Sequence, residues 1–130
     1  MIRYLSLDWI NAMSQEIAAS EQMRIAAQTH RISVTQVVSG GPEGDITYHL
    51  AVGDGEAALA AGPADPTDVR MEQDWNTAVA VATGQLNAGT AFLEGHIRMV
   101  GDEQLLLASQ AVFAALDAVF TRVAARTVYE

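Results

Sequence analysis

The chain has 130 residues and a mass of 13.8 kDa, the size of a single domain spanning residues 1–130. Half of its residues are apolar, and 16 carboxylates face 7 cations, all of them arginine, for a formal charge of −9 at pH 7. That balance argues against nucleic acid as a partner, since duplex binding leans on cations that neutralise phosphates; the lack of cysteine excludes a disulfide framework, a thiol nucleophile and a thiolate metal site.

In chain order, Ser6 to about Glu21 reads as an amphipathic helix. Ile10, Met13 and Ile17 recur at three- and four-residue steps, with Ser6 or Asp8 placed to cap. The period then changes to two. Ile32, Val34, Gln36 and Val38 alternate with Arg31, Ser33, Thr35 and Val37 in a half-buried strand. A turn cluster at Gly40–Gly44 leads to a second alternating strand carrying Ile46, Tyr48, Leu50 and Val52. Asp54-Gly55 is a type I′ hairpin signal, and Glu56 to Ala61 returns as a third strand. After Gly62-Pro63-Ala64-Asp65-Pro66, Val69 and Met71 alternate around Arg70 in a fourth. Helical spacing runs from Gln73 to Ala82 and stops at Thr83-Gly84; a short turn from Gly89 to Glu94 stops at Gly95. Ile97 and Met99 mark a fifth strand, and Asp102 caps a last helix reaching about Ala125. The expected architecture is α+β: a five-stranded antiparallel-type sheet with helices covering one face. The other face, carrying Arg31, Thr35, Thr47, His49, Arg70 and Arg98, is expected to be wet.

The apolar stretch Leu105–Leu116 is interrupted by Ser109 and Gln110 and falls short of the ~20 residues a membrane-spanning helix needs. Asp8, Asn11 and Glu16 break any signal-peptide core, and Arg126–Glu130 is not a Ser-Lys-Leu-type address, so the expected compartment is the cytoplasm. His30, His49 and His96 form no pair with ligand spacing, and His49 and His96 fall on outward positions. There is no nucleophile elbow, phosphate-binding loop or dinucleotide fingerprint. Gly40-Gly41 and Gly53-Asp54-Gly55 serve hairpin turns, not phosphates, because neither opens a helix. No catalytic residue, metal or cofactor is expected, and the chain is not read as an enzyme.

Three blocks carry a resemblance. They are Asp68-Val69-Arg70-Met71, Thr83-Gly84-Gln85-Leu86-Asn87, and Ala91 to Asp102 with its Ala-Phe-x-x-Gly turn. In this order and spacing the chain resembles the sterol carrier protein 2 family of small lipid carriers, and Asp74–Val79 looks like the version common in free-standing bacterial members. The resemblance implies a sheet covered by helices, with an apolar tunnel between them that takes a fatty acid, fatty acyl-CoA or sterol-like lipid, and no catalytic residues. With no lysine and no peroxisomal signal, the membrane docking and peroxisomal role of basic eukaryotic members do not carry over.

Strand parity and helix face then assign a ligand-binding set. It comprises Ile46, Tyr48, Leu50, Val69, Met71, Ile97 and Met99 from the sheet, with Trp75, Val79, Phe92, Leu105, Leu106 and Phe113 from the helices. Arg24 or Arg122 is placed to meet a polar head group. The expected partner is a small-molecule lipid, with no integral membrane insertion but room for transient membrane contact, and the chain a monomer or homodimer. The alternative is a solidly packed interaction or accessory module that uses an exposed apolar strip along Val119–Val128 for a partner enzyme or a second copy.

Overall fold

The computed structural model describes residues 1–129, the side chains of Ala88 and Gly89 excepted; Glu130, the last residue of the terminal segment read above, lies outside them. Thirteen elements follow in order: β1 (Ile2–Arg3), α1 (Leu7–Ala19), α2 (Glu21–Thr29), β2 (Ile32–Gly41), β3 (Gly44–Gly53), β4 (Glu56–Ala61), β5 (Val69–Asp74), α3 (Trp75–Ala82), α4 (Ala88–Leu93), β6 (Arg98–Gly101), α5 (Glu103–Ala108), α6 (Gln110–Ala124) and β7 (Thr127–Val128). The main sheet has the order β4-β3-β2-β5-β6, and β1 pairs with β7 in a separate parallel ribbon that ties the chain's two ends together.

The five strands form, but the sheet is mixed. β2–β3, β3–β4 and β5–β6 are antiparallel, whereas β5 lies parallel to β2 and does not neighbour β4. The cause is the segment between β4 and β5, which returns across the sheet to the start of β2. Asp68 holds it there: its carboxylate accepts from the Ser33 backbone N–H at 2.8 Å, and its own N–H donates to Ser33 Oγ at 3.0 Å. Thr35 Oγ1 accepts the Ala64 N–H at 3.1 Å and pairs with the Thr67 hydroxyl at 2.7 Å. Thr35, expected on a wet face, is therefore buried under this segment. His49 is half-buried for the same reason, its Nδ1 lying 2.8 Å from the Gly62 carbonyl.

The hairpin between β3 and β4 has the expected chemistry, with positive φ at both Asp54 (54°) and Gly55 (78°). Three helical boundaries differ from expectation. The first helix stops at Ala19, because Ser20 closes it and then caps α2 by accepting from the Met23 N–H. α2 buries Met23, Ala26 and Ala27 and leaves Ile25 exposed, so its buried face is too small-featured to stand out as a stripe. At Gln73 the chain is still strand; Asp74 ends β5 and caps α3. The last helix is two: Ser109, fully buried, donates its hydroxyl to the Leu105 carbonyl at 2.7 Å and separates α5 from α6.

Coverage of the inner sheet face is uneven. α1 lies on β4, where the Ser14 hydroxyl donates to the Leu59 carbonyl, and α3 lies over β2 and β5. The backbone of α6 packs mainly on α1 and α2. Glu16 of α1 holds Arg122 and Arg126 at 3.3 Å each, and Val112, Ala115, Val119 and Val123 are sealed. Gly101 fixes the exit from β6. Its φ is +128°, and a Cβ there would run into the Asp68 carbonyl and approach Val69 Cα to 3.0 Å. Gly101→Ala is expected to lower stability by at least about 1–3 kcal/mol, the scale of one strained backbone position, read as a fall in the urea midpoint at unchanged slope.

Candidate functional site

Among the described residues no group of three or more His, Asp or Glu side chains is placed to hold a metal ion. The histidines are apart and engaged locally: His30 Nδ1 lies 2.9 Å from the Ala26 carbonyl, and His96 lies 3.8 Å from Glu94.

The geometry of interest is on the inner sheet face. Strand register sets out a row of Tyr48, Gln36, Met71 and Met99 across β3, β2, β5 and β6. A neighbouring row runs Leu50, Val34, Val69 and Gly101, and a third runs Ile46, Val38 and Gln73. Tyr48, Leu50 and Val69 are buried in the core. Ile46, Met71 and Met99 are only half-buried although they face inward, and so are Trp75 and Val79 of α3, Leu105 and Leu106 of α5, and Phe113 of α6. Eleven of the thirteen expected residues thus belong to one apolar assembly, three sealed and eight packed against it with part of their surface free. Ile97 and Phe92 stand outside it, Phe92 being 44% exposed. The expected set left out Leu116 and Phe120, which share the half-buried apolar layer. Their signal was the helical stripe of α6, in which both take part.

α3 is positioned by capping and by a glycine. Asp74 Oδ1 accepts the Thr77 N–H at 2.7 Å, and Gly41 leaves room for the Trp75 ring, which an added Cβ would approach to 3.2 Å. Behind it, Trp9 meets Tyr4 edge-on at 5.2 Å and Tyr48 at 5.7 Å, and also contacts Phe120 at 5.7 Å. Burial raises the phenol pKa values of Tyr48 and Tyr4, that of Tyr4 further through the neighbouring Tyr48 and Tyr129. Both rings therefore act as neutral groups.

A small concavity borders this layer, and a larger one lies apart from it. The smaller, about 30 Å³, lies beside Tyr4, Ile46 and Trp75. The larger is an open groove of about 850 Å³ around the β3–β4 edge, lined by groups of both charges such as Arg24, Arg31 and Asp68; none of the thirteen expected residues borders it. Neither concavity is lined by α6, one of the helices that the resemblance sets over the implied tunnel. The expected head-group partners are engaged elsewhere: Arg122 pairs with Glu16 at 3.3 Å, and Arg24 pairs with Glu21 at 3.2 Å. The strip expected to be exposed along Val119–Val128 is interrupted, because Val119, Val123 and Thr127 are buried.

The hydrogen bond from the Thr77 backbone lowers the Asp74 pKa from 3.8. A depressed folded-state value makes the cap's contribution present above the unfolded pKa and lost as pH falls through the folded one. Asp74→Ala is expected to cost about 1 kcal/mol at pH 7. Its gap from wild type should narrow as pH drops below 3.8, measured by urea unfolding at several pH values.

A model of the SCP-2 sterol transfer family matches residues 9–114. A crystal structure of sterol carrier protein 2 superposes with a TM-score of 0.68 at 25% identity, covering 90% of this chain and 96% of that one. The solution structure of a conserved hypothetical protein from Thermus thermophilus gives 0.64 at 22% identity, covering 92% and 91%. An inverting sec-alkylsulfatase from Pseudomonas sp. gives 0.52 at 18% identity over 68% of this chain but only 14% of that one, so the same fold recurs as a segment of an enzyme. No curated protein matches the chain.

Proposed function

Because the chain belongs to the SCP-2 sterol transfer family, we propose that it binds and transfers an elongated lipid-like molecule without transforming it. The ligand would seat between the β5–β6 side of the sheet and α3, α5 and the first turns of α6. One observation carries this reading: large apolar side chains of the sheet and of α3, α5 and α6 pack against one core, yet remain half-buried. A solidly packed core of this size seals such residues, as this chain does around Trp9, Met13 and Val119. Apolar surface that faces inward and stays accessible is surface that a guest can cover. Covering about ten methylenes at ~0.8 kcal/mol each gives ~8 kcal/mol, a micromolar-scale affinity before ordering costs.

The thirteen residues named from the sequence remain the proposed lining, with Tyr48, Leu50 and Val69 as its sealed floor and Phe92 at its rim. The rival reading, a packed interaction module, loses the apolar strip it relied on, since Val119 and Val123 are buried. Adding 1-dodecanol or a long-chain fatty acid is expected to raise the melting temperature, on the order of 10 °C at a hundredfold excess over Kd. Leu106→Arg, which puts a charge into the half-buried layer, is expected to weaken binding at least tenfold while leaving the circular dichroism unchanged. Full affinity in that variant, or a wild-type melting temperature indifferent to every lipid added, would remove the proposal.

A further inference from the structure

The apolar wall contains one polar interruption. Gln36 of β2 and Gln73 of β5 both occupy inner-face positions, among Tyr48, Met71, Met99 and Val38. Gln73 Nε2 donates to Gln36 Oε1 at 3.0 Å, and Gln36 Nε2 reaches only the Met71 sulfur at 3.4 Å. A primary amide offers two N–H donors and a carbonyl with two lone pairs. Among the described residues, therefore, the Gln73 carbonyl and one N–H on each amide are unused. The Gln73 side-chain oxygen is not sealed, because no sealed side-chain nitrogen or oxygen among the described residues lacks a partner. Both residues are half-buried.

We propose that the Gln36–Gln73 pair receives an uncharged hydrogen-bonding group on the ligand, so that the site selects a hydroxylated amphiphile over a plain hydrocarbon and over a carboxylate. This rests on the binding function proposed above. A hydrocarbon laid across the pair strips its water and returns nothing, whereas a hydroxyl both donates to the Gln73 carbonyl and accepts from a free N–H. A carboxylate would need a cation, and the sheet supplies none on this face: Arg70 and Arg98 take outer positions, in register with Thr35 and Glu72.

The test compares 1-dodecanol, dodecane and dodecanoate at matched fractions of their aqueous solubility, followed by tryptophan fluorescence and native mass spectrometry. Wild type is expected to favour 1-dodecanol over both others by about tenfold, which is ~1.4 kcal/mol. Gln36→Leu combined with Gln73→Leu is expected to erase that preference and to improve dodecane binding. Should the double variant not fold, Gln36→Met alone, at a wild-type urea midpoint, is expected to lose most of the preference. Equal binding of alcohol and alkane by wild type, a preference for dodecanoate, or a preference unchanged in the variants would overturn this assignment and leave the carrier function standing. Binding of none of the three would overturn both.

Discussion

Trp9 decides how the layers of this protein meet. Its indole is 1% exposed and touches Tyr48 of the sheet and Phe120 of α6 at the same centroid distance of 5.7 Å. Sheet and terminal helix are thus joined through a ring belonging to a third element, α1. Such aromatic contacts are individually worth about 0.5–1.5 kcal/mol beyond area burial and carry a definite geometry. With Trp9 in place, α6 packs its backbone on α1 and α2, and Glu16 holds it there through two arginines. The sheet is five strands wide, and the helical layer seals it well on the β4 side and incompletely on the β5–β6 side. The half-buried layer is the consequence of that mismatch.

Uneven coverage also explains why the outer face is more than solvent-exposed surface. Bringing β5 alongside β2 in parallel requires the chain to cross from the end of β4 back to the start of β2. The crossing is accommodated by Asp68, Ser33, Thr35 and Thr67, whose hydrogen bonds satisfy a stretch that would otherwise lie over bare backbone. The inner position of Gln73, next to Val38 and diagonal to Gln36, follows from this parallel register. Had β5 paired antiparallel with β4, the two amides would have been three strands apart. The polar interruption in the apolar wall is thus a product of topology as much as of composition.

Much of this was legible in the sequence, for reasons that can be stated residue by residue. Period-two alternation placed Ile46, Tyr48, Leu50, Val69, Met71 and Met99 on one face, and the register agrees. Asp54-Gly55 fixed its turn because both residues must take positive φ. What failed were decisions that depend on contacts distant in sequence. Nothing local to Val69 says which strand it will pair with; that is set by Asp68 meeting Ser33. Ser20 and Ser109 read as ordinary helical or linker residues, yet each bonds backbone groups at a helix end. α2 hid because its buried side is largely alanine while Ile25 faces water. For the candidate site, the sequence picked out apolar residues of which eleven fall in one assembly, with Ile97 and Phe92 outside it, but gave their accessibility no value, since accessibility depends on where α6 comes to rest.

That division between what composition supplies and what placement supplies bears on selectivity. Apolar burial is non-directional and scales with area, so the half-buried layer by itself treats an alkyl chain, a branched chain and a ring system much alike. Discrimination has to come from groups that lose more when mismatched than they gain when matched, and a buried or half-buried amide is such a group. The inner face offers two amides and two neutral phenols, Tyr4 and Tyr48, whose ionisation burial opposes. Arg3 borders the small concavity beside Tyr4 but is paired there with Glu43 at 2.8 Å, and the other arginines pair at the periphery or occupy outer strand positions. Under the proposed function, a wall of neutral donors and acceptors whose neighbouring Arg3 is already ion-paired is matched to neutral polarity in the guest. The overall charge of −9 works in the same direction, because it disfavours an anionic ligand at long range as well as in contact.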